Sequence, residues 1–251
     1  MKDLNAVIFD MDGTIFDTEI LQLKTWVAIG KKYKFNITEE LVKSTFGVSR
    51  SETKKIYKEA LGEDFDFDYY REMREKSVKE YIKKNGVPLK KGLLELLNYL
   101  RDNRYAIAIA TSSRREKTYE YLDKAGLKDY FNVIVTGDMV SQGKPNPDIY
   151  LTAFHNLNSK FNNLQKSQCV VIEDAPSGIK SAKEAGIEVV MVPDLIQPTP
   201  EIEKLLYEKC QSLLDVKTML EKQKGLNDSK FIRLEKPRKI IRRDRYVKRR
   251  L

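Results

Sequence analysis

The chain has 251 residues, a net charge of +9 at pH 7 and two cysteines. This length allows a sizeable hydrophobic core, and two cysteines supply neither a disulfide framework nor a cysteine metal site. The N-terminus lacks a charged-then-apolar signal pattern, and no stretch approaches the ~18 apolar residues of a membrane span. We therefore expect a cytoplasmic protein without a membrane span.

Short apolar runs predict five buried strands, and amphipathic stretches between them predict helices. The predicted strands cover residues 6–9, 105–110, 132–135, 169–172 and 188–192. The predicted helices cover residues 92–102, 114–125, 147–156 and 177–185. Because strands alternate with helices, the sequence predicts an α/β fold with a doubly wound, Rossmann-like parallel sheet covered on both faces.

The segment between the first two predicted strands has a different pattern. It lacks β-branched runs and carries Lys, Glu, Leu and Tyr at helical spacing, which predicts an insertion of four or five helices. We divide the chain into an α/β core of residues 1–15 and 87–225, an α-helical cap of residues 16–86 and a basic tail of residues 226–251.

Two carboxylates close the first predicted strand, in the run Asp10-Met11-Asp12-Gly13-Thr14. Because side chains alternate along a strand, Asp10 and Asp12 point the same way, and two like charges so close need a cation or a shared proton. Gly13 allows a sharp turn, and Thr14 offers a hydroxyl to an anion. The pattern fits either an acidic turn or an active site, and other segments must distinguish them.

Three further segments carry polar side chains beyond predicted strands, where α/β sheets build ligand sites. Thr111 and Ser112 precede a helix whose free amides suit an anion, with a simple helix cap as the alternative. Lys144 lies between glycine and proline and offers a point charge to phosphate, unless it is a solvated lysine. Glu173 and Asp174 end a buried strand and need a cation there, unless they are surface acids.

The four motifs together, in the order D-x-D-G-T, T-S-S, G-K-P-x-P-D and E-D-x-x-x-G, resemble the haloacid dehalogenase superfamily. The similarity is closest to its phosphatase and β-phosphoglucomutase-like branch, which carries a helical cap inserted after the first strand. The resemblance spans residues 4–222 and leaves the tail outside. It implies an enzyme of phosphoryl transfer with a covalent aspartyl-phosphate intermediate.

The resemblance also implies a role for each motif residue. Asp10 is expected to be the nucleophile, and Asp12 the general acid to the leaving group and then the general base to water. Mg²⁺ is expected between Asp10, the main-chain carbonyl of Asp12 and Asp174, with Glu173 supporting it. The residues expected to hold the phosphoryl oxygens are Thr14, Thr111, Ser112 and Lys144.

Three cap residues, Glu19, Gln22 and Arg50, are expected to contact the substrate. Arg50 follows Gly47-Val48-Ser49 as in β-phosphoglucomutases, where this arginine grips a distal phosphate; its alternative role is that of a surface arginine. Gln22 stands where those mutases carry a histidine, and Asp-Thr-Glu at residues 17–19 is more typical of phosphatases. We therefore expect a Mg²⁺-dependent phosphomonoester hydrolase for a small phosphorylated metabolite such as a sugar phosphate, with a phosphosugar mutase as the alternative.

The basic charge is concentrated at the C-terminal end of the chain. Residues 229–251 hold 11 Lys/Arg and two acids, whereas residues 1–228 hold 35 basic and 35 acidic residues. Such a tail suits nucleic acid or another anionic partner, and a solvated extension is the alternative. A nucleic-acid-binding protein built on an inactive core is thus a different-class hypothesis, and we assume a monomer.

Overall fold

The computed structural model describes residues 4–46 and 50–234. Its centre is a parallel sheet of six strands in the order β3-β2-β1-β4-β5-β6. The strands are β1 Ala6–Phe9, β2 Ala106–Ala110, β3 Val133–Val135, β4 Cys169–Glu173, β5 Glu188–Met191 and β6 Glu208–Lys209. The strand order reverses between β1 and β4, so this point of the sheet is where a doubly wound fold opens a crevice for ligands.

The described residues also form ten α-helices. They are α1 Glu19–Tyr33, α2 Glu39–Lys43, α3 Arg50–Leu61, α4 Phe67–Asn85, α5 Leu93–Asp102, α6 Arg115–Ala125, α7 Asp148–Phe161, α8 Pro176–Glu184, α9 Pro200–Glu203 and α10 Leu213–Leu234. Leucines of α5, α6 and α10 pack on one face of the sheet, and apolar residues of α7 and α8 pack on the other. Strands β1, β2 and β4 are buried on both faces, which explains their nearly continuous apolar sequences.

The predicted doubly wound parallel sheet is confirmed, and the five predicted strands are present with ends shifted by at most one residue. The two-residue edge strand β6 was not predicted, because an exposed Glu-Lys pair carries no apolar signal. Helix α7 continues to Phe161, beyond the predicted end at residue 156. Of the basic tail, residues 226–234 continue α10 and residues 235–251 lie outside the described part of the chain.

The insertion after β1 contains four helices, α1 to α4, within its described residues. They pack around an aromatic cluster in which the ring centroids of Trp26 and Tyr57 lie 4.7 Å apart and those of Tyr57 and Phe67 lie 5.4 Å apart. The insertion therefore has an apolar core of its own. The exact division of the chain into core, cap and tail stays a prediction.

Two chain segments join these helices to the sheet and run beside each other. The backbone N–H of Asp17 donates to the carbonyl of Pro88, and that of Lys90 donates to the carbonyl of Ile15, both at 2.9 Å. These bonds tie the segment before α1 to the segment that returns to the sheet after α4. No helix in the described part of the chain combines the length and the apolar character that crossing a membrane requires.

Candidate active site

The predicted site residues meet at the carboxyl edge of the sheet, where the strand order reverses. Asp10 directly follows β1, and its backbone N–H donates to the carbonyl of Ile172 in β4 at 2.9 Å. Glu173 is the last residue of β4, and Asp174 follows it. Because β1 and β4 are neighbours, these three carboxylates lie together although Asp10 is more than 160 residues from the other two in the chain.

Lys144 links two of these carboxylates. Its Nζ lies 2.5 Å from Oδ1 of Asp10 and 2.6 Å from Oε1 of Glu173. The lysine side chain is 5 % exposed, so its charge is stabilised by these two acids rather than by water. Burial by itself lowers the pKa of Lys144, but the charges of Asp10 and Glu173 outweigh burial and raise it well above its ordinary value. Lys144 is therefore an ammonium cation at this point.

The pKa of Asp10 is raised as well, which for a carboxyl group favours the neutral form. Burial raises its pKa most strongly, the Lys144 charge opposes this effect, and the neighbouring Glu173 charge adds to it, for a pKa of about 7. The carboxylate therefore depends on nearby positive charge to remain ionised at neutral pH.

Glu173 is fixed by four donors. Lys144 and the hydroxyl of Tyr150 donate to its Oε1, the latter at 2.8 Å, and the backbone N–H groups of Asp174 and Ala175 donate to its Oε2 at 2.9 and 3.0 Å. At Gly178 a Cβ would overlap Oε1, so only glycine fits beside this carboxylate. Glu173 thus holds Lys144 in place.

Asp12 lies in a separate hydrogen-bond network on the same edge. Thr18 donates to its Oδ1 at 2.8 Å and Ser113 to its Oδ2 at 2.7 Å, while Lys117 Nζ lies 2.9 Å from both oxygens. Burial alone raises the pKa of Asp12, but the Lys117 charge and these hydrogen bonds outweigh burial and hold the pKa below its ordinary value. Asp12 is therefore a carboxylate in the structure, unlike Asp10 with its raised pKa.

Asp174 receives one side-chain hydrogen bond within the described structure, from the hydroxyl of Thr14 at 3.0 Å. Gly13 has a φ of +90°, and a Cβ there would overlap Oδ2 of Asp174. The glycine therefore allows the D-x-D-G-T turn to lie directly against Asp174. The hydroxyl of Thr14 is directed to this carboxylate, and its contact with a phosphoryl oxygen stays a prediction.

Thr111 and Ser112 lie beyond β2, on the side of Asp10 opposite β4. The buried Thr111 hydroxyl oxygen accepts from the backbone N–H of Ser113 at 3.0 Å, which tightens the turn before α6. Ser112 lines the cleft described below. Their predicted contacts with phosphoryl oxygens stay predictions.

Two groups of carboxylates suit a cation. Oxygens of Asp10, Glu173 and Asp174 lie within 4.8 Å of one another, and so do those of Glu19, Asp174 and Asp194. Burial and the charges of Glu173, Glu19 and Asp10 raise the pKa of Asp174 well above its ordinary value. One oxygen of Asp194 is buried with no hydrogen-bond partner among the described residues. Clustered carboxylate oxygens of this kind fit a hard divalent cation.

Glu19, predicted to contact substrate, belongs to the second of these groups. Burial, together with the charges of Asp194 and Asp12, raises its pKa to about 8. It also lines a cavity of about 250 Å³ among the cap helices, so it borders both the acidic group and the cap interior.

A cleft of about 690 Å³ lies between the sheet edge and the cap. The side chains of Thr18, Ser113 and Lys117, which hold Asp12, line it from one side, and Arg71 and Arg74 of α4 line it from the other. A cleft of this size accommodates a small metabolite.

The other two predicted substrate residues also border this cleft. Gln22 accepts a hydrogen bond from Arg74. Arg50 pairs with Asp68 at 2.8 Å, and its side chain is 64 % exposed. The preceding residues Gly47, Val48 and Ser49 lie outside the described residues.

Comparison with known proteins agrees with this geometry. The model of the haloacid dehalogenase-like hydrolase family matches residues 7–192. The chain belongs to the haloacid dehalogenase-like hydrolases. A phosphorylated carbohydrates phosphatase of Thermotoga maritima is 35% identical over 189 residues, which are 74% of this chain and 83% of that protein. The fructose-1-phosphate phosphatase YqaB of Escherichia coli is 31% identical over 190 residues, which are 74% of this chain and 95% of that protein.

A solved structure described as a candidate β-phosphoglucomutase of Thermotoga maritima is 29% identical, with a TM-score of 0.71 over 87% of this chain and 99% of that one. The predicted resemblance and the predicted enzyme type, a phosphatase of the haloacid dehalogenase type, are confirmed. Haloacid dehalogenase-like hydrolases use a metal ion, and the buried carboxylates described above can bind one.

Four contributors to this hydrolase site were not predicted from the sequence: Thr18, Ser113 and Lys117 on Asp12, and Tyr150 on Glu173. Ser113 belongs to the T-S-S motif, and Lys117 stands four residues later, one helical turn along α6. That spacing was the available signal for Lys117. No sequence signal pointed to Tyr150, because its position in α7 is that of an ordinary core residue.

Proposed function

We propose that this haloacid dehalogenase-like hydrolase is a Mg²⁺-dependent phosphomonoester hydrolase that acts on a small phosphorylated carbohydrate. The observation that carries the proposal is that the buried Lys144 ammonium contacts Asp10 at the sheet edge, where oxygens of Asp10, Glu173 and Asp174 lie within 4.8 Å of one another. The substrate class is supported by relatives named as phosphatases of phosphorylated carbohydrates and of fructose 1-phosphate.

The reaction proceeds in two steps through an aspartyl-phosphate. First, an oxygen of Asp10 forms a bond to phosphorus while the bond from phosphorus to the leaving oxygen breaks, and protonated Asp12 gives its proton to that oxygen. Second, water attacks the aspartyl-phosphate, Asp12 takes a proton from the water, and phosphate leaves as the Asp10 carboxylate is restored. The carboxylate of Asp12 in the structure is the form that accepts this proton, and the proton taken from water is the one that Asp12 gives to the leaving oxygen in the next turnover.

Positive charge has to offset the repulsion between the Asp10 carboxylate and a phosphoryl dianion. Lys144 supplies one such charge and contacts the nucleophile directly. Mg²⁺ held by Asp10, the main-chain carbonyl of Asp12 and Asp174, with support from Glu173, would neutralise further charge on the phosphoryl group. The residues that we assign to the phosphoryl oxygens are Thr14, Thr111, Ser112 and Lys144.

The test is the release of inorganic phosphate by the purified full chain, with MgCl₂, from p-nitrophenyl phosphate and a panel of sugar phosphates. We expect Asp10→Asn to abolish turnover, because the amide cannot attack phosphorus. Asp102→Asn, a change of the same chemistry at the end of α5, is the control. Magnesium-dependent release by Asp10→Asn at the wild-type rate would contradict the mechanism, and interconversion of hexose 1- and 6-phosphates without phosphate release would indicate a mutase.

A further inference from the structure

We propose that Arg71 and Arg74 on α4 form a subsite for a second anionic group, a phosphate or a carboxylate carried by the leaving group of the substrate. This inference rests on the proposed function, because the leaving group enters the cleft only if its phosphoryl group reacts at Asp10. The substrate would then be a phosphorylated carbohydrate with a further negative charge.

The first support is the position of the two arginines. The leaving oxygen must face Asp12, and the three side chains that hold Asp12 line the same cleft as Arg71 and Arg74. The leaving group therefore extends from Asp12 across the cleft towards α4. At about 690 Å³ the cleft has room for a small sugar phosphate with a second charged group.

The second support is an excess of positive charge in the lining of the cleft. The cleft is lined by six basic side chains and three acidic ones. Arg71 and Arg74 share one carboxylate oxygen, Oε1 of Glu75, at 2.7 and 3.3 Å. Two guanidinium groups with a single acidic partner within the described structure have one positive charge left for a ligand, and their planar donor forks suit phosphate or carboxylate.

The third support is the way in which Arg74 is held. Its side chain is 11 % exposed, donates to Gln22 and lies over the Trp26 ring at 6.0 Å. Its buried Nε has no hydrogen-bond partner among the described residues. A buried cation with an unused donor is costly to keep, which favours an anionic ligand in this part of the cleft.

Arg50 is less suited to this role, although it borders the same cleft. It is 64 % exposed and shares Asp68 with Lys54, whose Nζ lies 2.6 Å from the other oxygen of that carboxylate. Such an exposed group gains little from one further contact. The structure therefore favours the two arginines of α4 over the arginine that the sequence indicated.

The test uses matched probes that differ in one anionic group: phenyl phosphate against 4-carboxyphenyl phosphate, and fructose 6-phosphate against fructose 1,6-bisphosphate. We expect the wild type to prefer the more charged member of at least one pair by ~10-fold or more in kcat/KM, mainly through KM, because the contact is the same in ground and transition states. A preference within the phenyl phosphate pair indicates that the subsite binds a carboxylate, and a preference within the fructose pair indicates that it binds a phosphate. We expect Arg71→Met to lower this preference by ~10-fold, the lower end of the range for losing a charge-assisted hydrogen bond, and Arg71→Lys to keep part of it.

Lys76→Met removes an exposed charge from the same helix and should leave the preference unchanged. Arg71 is 30 % exposed, so Arg71→Met carries the test even where a change at the buried Arg74 unfolds the protein. Equal kcat/KM within both pairs, or an unchanged preference in Arg71→Met, would overturn the subsite while leaving the phosphatase proposal intact. Absence of phosphate release from every phosphomonoester would overturn the proposed function itself.

Discussion

Gly178→Ala should destabilise the protein, although alanine is the better helix former. Gly178 lies in the first turns of α8, where the change would normally stabilise a helix by about 1 kcal/mol. Here a Cβ would overlap Oε1 of Glu173 and lie 2.7 Å from its Oε2, inside the 3.0 Å that Cβ contacts keep. The carboxylate therefore has to move.

The cost follows from the donors that Oε1 would lose. Lys144 lies 2.6 Å and the Tyr150 hydroxyl 2.8 Å from this atom, and all three side chains are buried. At about 1.5–3 kcal/mol for each charged hydrogen bond, losing both costs about 3–6 kcal/mol. After the helix gain, we expect a net loss of about 2–5 kcal/mol in the free energy of unfolding.

Urea denaturation followed by circular dichroism measures this loss. Gly143→Ala is the matched control, because a Cβ at Gly143 meets no described atom within 4 Å. We expect the control to unfold at the wild-type urea concentration and Gly178→Ala to unfold at a lower one. A Gly178→Ala midpoint equal to or above that of the wild type would refute the argument that Glu173 is held rigidly.

Three further predictions concern the site. Tyr150→Phe removes one donor from Glu173, and we expect a loss of about 1.5–3 kcal/mol in the free energy of unfolding, measured by the same denaturation; an unchanged midpoint would contradict it. Lys117→Met removes the charge that lowers the pKa of Asp12, so this pKa should rise when the Asp12 carboxyl is titrated by NMR; an unmoved pKa would exclude this role. Mg²⁺ added after EDTA treatment should raise the thermal midpoint in a concentration-dependent way by binding the folded state, and Asp174→Asn should remove that rise. The same rise in Asp174→Asn would place the metal elsewhere.

The sequence was sufficient wherever the signal is local. The apolar runs of β1, β2 and β4 are buried on both faces, so their composition alone indicated the strands. Asp10 and Asp174 stand directly after two of these runs, and parallel strands end at a common edge, so their proximity was predictable. The exposed β6 gave no such signal.

The sequence could not assign partners to side chains, because a pair depends on how distant elements are oriented. Lys117 binds Asp12 from 105 residues away, and Tyr150 of α7 binds Glu173 from 23 residues away. From the sequence alone, Lys117 would be assigned to the surface and Tyr150 to the core. Only packing of their helices on the sheet made them part of the site.

The sequence by itself determined the fold class, the order of the motifs and the identity of the paired carboxylates. The tertiary structure decided how these two acids differ: Asp10 is buried beside Lys144 and Glu173 with a raised pKa, whereas Asp12 is held as a carboxylate by Lys117. It also brought the two arginines of α4 to the cleft. The physical reason is that strands and turns follow from neighbouring residues, while electrostatic environment follows from the three-dimensional arrangement of the whole chain.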